Sequence, residues 1–308
     1  MSDIFFGELD IPAPNHNFNI NNLPRADFIT AVSGMLADYF AAAGPAIVFI
    51  YGDTNTTAAA AIAAKKAGNL LVHFEAGVRT GEADMPEETN RVLADGLSDI
   101  NLCCTARNYA TMLSEDDGSG RQLYLTGDLM LDAFKKIAAS NKKMVAAGSY
   151  VACTIHRAAN INHHPNLHQI IEGLNQIHTD IPVVVPVHPN TRKKMTEAGC
   201  KPLFNMLDPL GYPDMKSFLA GSSYVITDSG GTCREAYFLQ KPAVVVMDNP
   251  FWPEILENGC ALSSPASKDA LVKNFFRLAT LRGNFEEAIF GDGNAAGKIK
   301  EILAAIHL

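Results

Sequence analysis

The sequence predicts an α/β protein with two Rossmann-like domains, whose parallel sheets face each other across a cleft. Three observations lead to this prediction. Short apolar runs alternate along the chain with helical patterns, which is typical of βαβ units. The runs are almost continuously apolar, as expected for parallel strands covered by helices on both faces. A polar stretch divides the runs into two series, so we expect two domains.

Eight apolar runs are predicted to be strands, four in each series. They span residues 46–51, 70–74, 100–104, 123–126, 150–154, 183–187, 224–227 and 243–246. The alanine-rich segment 56–67 and the segment 165–178 have apolar residues at helical spacing. The polar stretch 140–149 is predicted to be the interdomain linker. The N-terminal domain is therefore expected to span residues 1–140 and the C-terminal domain residues 150–308.

Composition narrows the class of protein. Of the 308 residues, 47% are hydrophobic and 19% are charged, which is typical of a soluble globular chain. The formal net charge of −8 argues against nucleic acid or an anionic membrane as a partner. No apolar run reaches the roughly 20 residues of a membrane span, and the N terminus lacks a basic signal-peptide start. The six cysteines show no Cys-x-x-Cys spacing, so we expect reduced thiols in a cytoplasmic protein without a metal site.

A glycine turn at residues 228–236 is the strongest signal for a ligand. It follows the apolar run 223–227 and opens a helical segment. Gly230 and Gly231 allow a ligand to approach the backbone, and the N–H groups of a first helical turn suit a phosphate or diphosphate. Glu235 lies one turn further, where a carboxylate can accept hydrogen bonds from ribose hydroxyls. The alternative is a tight turn that binds nothing; Cys233 is the one cysteine beside it.

Acidic residues and a histidine follow the predicted strands. Asp53 and Glu75 come after the first two strands, and His156 comes after the fifth. Glu87 opens the helix that follows Glu75. Three carboxylates and an imidazole near a diphosphate site indicate acid/base chemistry on a nucleotide-linked substrate. Each also has a structural alternative, because Asp53 can cap a helix, Glu87 fits an ordinary helix start and His156 can be a structural histidine.

Eight short segments make this sequence resemble the non-hydrolysing UDP-N-acetylglucosamine 2-epimerases over nearly its whole length. In the family's order and spacing they are Gly-Asp-Thr-Asn-Thr at 52–56, His-Phe-Glu-Ala-Gly-Val-Arg-Thr at 73–80, Pro-Glu-Glu-Thr-Asn-Arg at 86–91, Thr-Gly-Asp at 126–128, His-Arg with a later Asn at 156–160, His-Pro-Asn at 188–190, Asp-Ser-Gly-Gly at 228–231 and Gly-Asp-Gly at 291–293. The resemblance implies the two-domain architecture of the GT-B glycosyltransferases, and a homodimer.

The resemblance also implies a reaction and a set of site residues. The enzyme would eliminate UDP from UDP-N-acetylglucosamine, leaving 2-acetamidoglucal, and add UDP back to give UDP-N-acetylmannosamine for polysaccharide biosynthesis. No cofactor is needed, because the C2 proton leaves as the C1–O bond breaks. Carried over by motif, the catalytic candidates are Asp53, Glu75, Glu87 and, at the diphosphate, His156. The substrate-binding candidates are Ser229, Gly230 and Gly231 for phosphate, Glu235 for ribose, and Arg79, Arg157, His188 and Asn190.

The chain departs from the family pattern in two places. Relatives begin with a strand and a Gly-Thr-Arg-Pro-Glu turn, whereas residues 1–9 here resemble the stretch beyond those elements. We therefore expect an incomplete N-terminal domain, an exposed edge at strand 46–51, and weak epimerase activity. In the nucleotide site, Cys233 and Arg234 replace the family's Gln-Glu, and Trp252 replaces an arginine. Arg234 is the candidate to replace the lost charge.

Two other functions remain open at this point. A hydrolysing epimerase would release UDP and free N-acetylmannosamine, with water as the final nucleophile. A nucleotide-sugar binder without catalysis is favoured by the missing N-terminal segment and the Trp252 substitution, whereas retention of all three carboxylates disfavours it. The sequence also leaves open the exact UDP-sugar and any allosteric control.

Overall fold

The computed structural model describes residues 7, 9, 11–20, 23–116, 118–141, 149–278 and 280–306. In chain order, the elements in these residues are α1 (Arg25–Ala43), β1 (Ile47–Tyr51), α2 (Asn55–Lys66), β2 (Leu70–Phe74), α3 (Pro86–Leu97), β3 (Ile100–Cys103), α4 (Ala106–Ser114), β4 (Gln122–Leu125), α5 (Leu129–Lys136), β5 (Val151–Thr154), α6 (Ala158–Ile161), α7 (His164–His178), β6 (Val183–Pro186), α8 (Pro189–Glu197), β7 (Asn205–Leu207), α9 (Tyr212–Gly221), β8 (Tyr224–Thr227), α10 (Gly230–Phe238), β9 (Ala243–Val246), α11 (Pro253–Glu257), β10 (Ala261–Ser264), α12 (Lys268–Leu278) and α13 (Ala295–Ala304).

These elements belong to two compact units. The first unit contains Pro14–Lys135 and the C-terminal residues from Ala288 onward, and the second contains Lys136–Glu287 together with the described residues before Pro14. The predicted boundaries placed residues 288–308 in the C-terminal domain, whereas the structure groups α13 with the N-terminal sheet. Most of the predicted linker, residues 142–148, lies outside the described residues.

The first unit has a four-stranded parallel sheet in the order β1-β2-β3-β4. Helix α2 forms because its run of alanines has high helix propensity, and Thr54 caps its start by accepting a hydrogen bond from the backbone N–H of Thr57. All but one of these alanines are buried, so the small side chains let α2 lie close to the sheet. Strand β1 forms one edge, with Phe49 39% and Tyr51 46% exposed, as expected for this strand.

The C-terminal segment is attached to the first unit by two of the family-like motifs. The backbone N–H of Asp128 donates to the carbonyl oxygen of Phe290, and a Cβ on Gly127 would lie 3.0 Å from that oxygen. Asp132 then accepts hydrogen bonds from the backbone N–H groups of Ala295 and Ala296 at the start of α13. The segments around residues 127 and 291 therefore hold the chain terminus in place, which is a structural role for both motifs.

The second unit has a six-stranded parallel sheet in the order β10-β9-β8-β5-β6-β7. Its central strands are almost entirely buried, and one core cluster joins them to α7 and α12. The leucines and isoleucines of α7 recur at helical spacing and face this core. None of the described helices is long and apolar enough to cross a membrane.

The predicted fold class, α/β with two parallel sheets, is confirmed. All eight predicted strands are present, each within one residue of its predicted bounds. The prediction missed β7 and β10, which form the two edges of the second sheet. Both are short, and β10 ends in two serines, because edge strands are not covered like central ones and need no continuous apolar run.

Candidate functional site

In the second sheet, the order in which strands are added reverses between the neighbouring strands β5 and β8. From β5 the chain builds β6 and β7 on one side, then crosses to β8 and builds β9 and β10 on the other. In open α/β sheets, ligands bind outside the carboxyl ends of the strands at such a switch point. His156 follows β5 and Asp228 follows β8, so the topology places the predicted histidine and glycine turn at this position.

Asp228 joins the two loops at the switch point. Its carboxylate is fully buried and accepts hydrogen bonds from the backbone N–H groups of His156 at 3.0 Å and Arg157 at 2.9 Å, and from the side-chain amide of Asn160 at 3.0 Å. The imidazole Nδ1 of His156 lies 3.5 Å from the same carboxylate, while 54% of the His156 side chain is exposed. This arrangement orients the imidazole and leaves it accessible to a ligand.

The glycine turn opens helix α10, with Ser229 as its N-cap. The Ser229 hydroxyl oxygen accepts a hydrogen bond from the backbone N–H of Thr232 at 3.2 Å, which leaves the hydroxyl proton available as a donor. A Cβ on Gly230 would lie 2.7 Å from Cδ2 of Phe251. A side chain at position 230 would therefore have to displace the neighbouring aromatic ring, a constraint that the sequence did not reveal.

Glu235 lies on the buried side of α10. The hydroxyl of Tyr212 forms a hydrogen bond with its carboxylate, and Lys216 and Arg234 are close enough to interact with it electrostatically. Burial raises the pKa of Glu235 above its ordinary value, because these three partners only partly offset the loss of solvation. The predicted ribose acceptor is thus held within the unit by Tyr212.

Three other substrate-binding candidates are placed near the same edge of the second sheet. His188 follows β6 and caps α8, because its Nδ1 accepts a hydrogen bond from the backbone N–H of Asn190 at 3.2 Å. The Asn190 side chain is exposed. The guanidinium of Arg157 lies 5.0 Å from the centre of the Phe251 ring and donates to the sulfur of Met247.

The residues that depart from the family pattern pack together in the second unit. The guanidinium of Arg234 lies 4.5 Å from the centre of the Trp252 ring, and both side chains are buried. The pair forms a cation–π contact. Cys233 is also buried, and burial raises the pKa of its thiol to about 12. Cys233 therefore has little thiolate at neutral pH and is a packing residue.

In the first unit, the catalytic candidates follow adjacent parallel strands. Asp53 comes after β1 and Glu75 after β2, and Tyr51 is in register with Phe74. Glu75 has a φ angle of 74°, in the left-handed region that residues other than glycine rarely adopt. Such backbone strain clusters at functional sites. Glu87 lies in the first turn of α3, where acids are favoured.

Helix α3 turns charged residues toward the interior of the first unit. Glu88, Arg91 and Asp95 are all buried. Burial alone would raise the pKa of Glu88, but hydrogen bonds from Thr80, Gly81 and Arg91 outweigh it and hold the pKa below its ordinary value. Nη1 of Arg91 donates to Glu88 at 2.6 Å, and Nη2 donates to the carboxylate of Asp53. The predicted acid/base residue Asp53 is therefore an ion-pair partner and not the cap of α2.

A second buried group lies beneath the turn that carries Asp53. His73 contacts Asp95 through Nδ1 at 2.7 Å and the carbonyl oxygen of Gly52 through Nε2 at 2.8 Å. Asp95 also accepts from Arg79 at 2.7 Å, and Arg79 bonds Glu115 through both Nε and Nη2. Burial opposes the ionised form of Asp95, but His73 and Arg79 prevail and lower its pKa. In this unit the predicted substrate ligand Arg79 contacts two carboxylates of the protein.

Sequence reasoning missed the residues that hold the carboxylates in place. Two signals were available: His73 interrupts an otherwise apolar strand, and charged residues at positions 88, 91 and 95 share one helical face. Among the described residues, no group of three or more His, Cys, Asp or Glu side chains is arranged to hold a metal ion.

Known proteins resemble this chain over nearly its whole length. The family model of UDP-N-acetylglucosamine 2-epimerase matches residues 1–304. A UDP-2,3-diacetamido-2,3-dideoxy-D-glucuronate 2-epimerase of Pseudomonas aeruginosa is 33% identical, across 99% of this chain and 88% of that protein. The crystal structure of Methanocaldococcus jannaschii UDP-GlcNAc 2-epimerase in complex with UDP-GlcNAc and UDP matches this chain with a TM-score of 0.87 at 27% identity. The match covers 98% of this chain and 87% of that one. The Neisseria meningitidis enzyme bound to UDP-GlcNAc has a TM-score of 0.86 at 26% identity, covering 99% and 89%. The chain belongs to the UDP-N-acetylglucosamine 2-epimerase family.

Proposed function

We propose that this protein is a non-hydrolysing 2-epimerase that interconverts UDP-N-acetylglucosamine and UDP-N-acetylmannosamine. The observation that carries the proposal is the pair of carboxylates at adjacent strand ends. Asp53 is held by a buried arginine, and Glu75 is held in a left-handed backbone conformation. Ordinary packing requires neither feature, whereas proton transfer requires carboxylates in fixed positions.

The proposed reaction balances without an oxidant or reductant. A carboxylate removes the C2 proton while the C1–O bond breaks, so the products are UDP and 2-acetamidoglucal. UDP then adds back to C1 as a proton is delivered to the opposite face of C2. Asp53, Glu75 and Glu87 are the proposed acid/base groups, and their division into acid and base is left to experiment.

The second unit is proposed to hold the UDP group. The N terminus of α10 presents backbone N–H groups and the Ser229 hydroxyl proton, which suit a diphosphate. His156 supplies a further donor at the same switch point, since Asp228 orients its ring. Gly230 and Gly231 complete the phosphate site, and the further proposed contacts are Glu235 with ribose and Arg79, Arg157, His188 and Asn190 with the substrate.

The test is proton exchange in heavy water. Purified protein is incubated with UDP-N-acetylglucosamine in D₂O, and deuterium at C2 of both epimers is followed by NMR. Deuterated UDP-N-acetylmannosamine without net UDP release is the expected result. Accumulation of UDP with free N-acetylmannosamine would identify the hydrolysing reaction instead. Binding of UDP-N-acetylglucosamine without any exchange at C2 would reduce the protein to a nucleotide-sugar binder.

A UDP-linked hexuronate is the second candidate substrate, and one residue favours it. The Pseudomonas aeruginosa relative is named for a glucuronate derivative. In the first unit, Arg79 and Arg91 each contact two carboxylates, whereas exposed Arg25 donates to the neutral amide oxygen of Asn90 at 2.7 Å. Asn90 in turn donates to the backbone carbonyl of Asp53. A guanidinium that is linked to Asp53 through Asn90, and whose charge faces a neutral partner, is suited to a substrate carboxylate.

The resemblance to the family further supports a homodimer, and the free cysteines support a cytoplasmic location. The assembly is tested by size-exclusion chromatography with light scattering, where a mass of twice the 33.2 kDa chain is expected. A monomer mass at micromolar concentration would contradict this part of the proposal.

A further inference from the structure

We infer that Arg91 is the positioning residue that fixes the Asp53 carboxylate for proton transfer, and that Glu88 fixes Arg91. This inference rests on the proposed epimerase function. The Arg91 side chain is only 3% exposed and uses two different guanidinium nitrogens for its two partners. The planar guanidinium thereby sets both the distance and the angle between Glu88 and Asp53, which a point charge would not do.

Glu88 is itself held firmly. Its two carboxylate oxygens accept hydrogen bonds from the backbone N–H of Thr80 at 3.0 and 3.1 Å, and Oε1 accepts from the N–H of Gly81 at 3.1 Å. The Thr80 hydroxyl donates to Oε2 at 3.0 Å. Arg91 is therefore anchored to the loop after β2, the loop that begins with the strained Glu75. One chain of contacts therefore links Asp53 to the loop that begins with Glu75, two of the three proposed acid/base residues.

The backbone on either side of the Asp53 side chain is also fixed. His73 contacts the carbonyl oxygen of Gly52 at 2.8 Å, and the side-chain amide of Asn90 donates to the carbonyl oxygen of Asp53 at 2.9 Å. A quarter of the Asp53 side chain is exposed, so it is reachable while Oδ2 is held by Arg91. His73 and Asn90 set where the residue sits, and Arg91 sets how its carboxylate is turned.

The inference predicts a loss of turnover without a loss of substrate binding. Arg91→Lys keeps the charge but loses the planar fork, and Arg91→Ala loses both. Misplacing a catalytic group by about 1 Å costs roughly 10²-fold in rate. We expect kcat for C2 deuterium exchange to fall about tenfold in Arg91→Lys and about 10²-fold or more in Arg91→Ala. The KM and the Kd for UDP should stay within about twofold, because the proposed UDP site lies in the other unit.

Chemical rescue separates positioning from folding. Millimolar guanidinium added to Arg91→Ala should recover part of kcat, since the small cation can occupy the vacated space between Glu88 and Asp53. Lys65→Ala is the matched control, because it removes an ion pair of the same unit. That pair joins Lys65 to Asp99 at the end of the sheet where β2 and β3 begin. That variant should keep wild-type kcat.

The outcomes are distinguishable. If the wild-type protein exchanges no deuterium at C2, the proposed function fails before Arg91 is considered. If the wild type exchanges and Arg91→Lys matches it in kcat, the positioning role is wrong. If Arg91→Ala unfolds, Arg91→Lys still decides between a positioning role and a role in folding, provided that its melting temperature is unchanged. Equal losses of kcat and UDP affinity in Arg91→Lys would also overturn the inference.

Discussion

The buried carboxylate of Asp228 accepts a hydrogen bond from the backbone N–H of His156 at 3.0 Å, and so joins the loops that follow β8 and β5. These loops form the switch point of the second sheet, where the nucleotide is proposed to bind. The Asp228 contact therefore holds together the two loops of the proposed nucleotide site.

Replacing Asp228 tests this relationship. In Asp228→Asn, an amide NH₂ group faces backbone N–H groups that previously had an acceptor, at a cost of about 1–3 kcal/mol. We expect a lower melting temperature and UDP binding weakened at least tenfold by calorimetry. Asp180→Asn is the control, because Asp180 is exposed just before β6, away from the carboxyl ends of the strands. Unchanged UDP affinity in Asp228→Asn would contradict the proposed site.

The substitution Glu75→Gly should raise the stability of the protein and lower its activity. The φ angle of 74° at Glu75 is unfavourable for glutamate and acceptable for glycine, so Glu75→Gly is expected to stabilise the protein by about 1 kcal/mol. Loss of the carboxylate should lower C2 deuterium exchange by about 10²–10⁴-fold. Gln240→Gly, at a φ angle of 56°, is expected to stabilise the protein while retaining exchange. An active Glu75→Gly variant would remove Glu75 from the mechanism.

The raised pKa of Glu235 predicts that the stability of the protein depends on pH. Burial raises this pKa in the folded protein, so the unfolded chain releases this proton at lower pH, near 4.5. The free energy of unfolding should therefore fall as pH rises above about 4.5 and level off beyond the folded-state pKa. Glu235→Gln should flatten this decrease in urea unfolding at several pH values. The exposed-site variant Glu286→Gln should follow the wild-type curve, and an identical curve for Glu235→Gln would contradict the assignment.

Arg25 is expected to distinguish between the two candidate substrates. A hydrogen bond to a charged group contributes about 1.5–3 kcal/mol, so Arg25→Gln should lower kcat/KM for a UDP-linked hexuronate by about 10- to 100-fold. The value for UDP-N-acetylglucosamine, whose sugar carries no charge, should change less than twofold. Lys66→Gln, an exposed charge change at the end of α2, is the matched control. Equal losses for both substrates would exclude Arg25 as a selector of the anionic sugar.

Much of the fold could be predicted because buried parallel strands leave a direct record in the sequence. Strands such as β5 and β9 are covered on both faces and must be apolar at every position. The edge strand β7 is under no such requirement and was missed. The attachment of α13 to the first unit was missed as well, because the contact between Asp132 and Ala295 spans 163 residues.

The candidate carboxylates could be predicted in part. Asp53 and Glu75 were found because parallel strands carry their ligands at one edge, and the strand ends are visible in the sequence. Arg91 was not assigned a role, because a charged residue in an amphipathic helix is normally expected to face solvent. Glu88, one turn away on the same helix, and Asp53, brought to it from the end of β1, make its burial favourable.

The sequence by itself determined the α/β class, the central strands, the strand-end carboxylates and the family. These depend on local periodicity and on short motifs, which are properties of neighbouring residues. The tertiary structure alone decided which partner each charged group has, and that decides its role. Asp53 is an ion-pair partner of Arg91 and not a helix cap, and Arg234 packs on Trp252. Partner choice depends on contacts between residues distant in the chain, since a charge is stable in the interior only where folding brings an opposite charge or a hydrogen-bond partner to it.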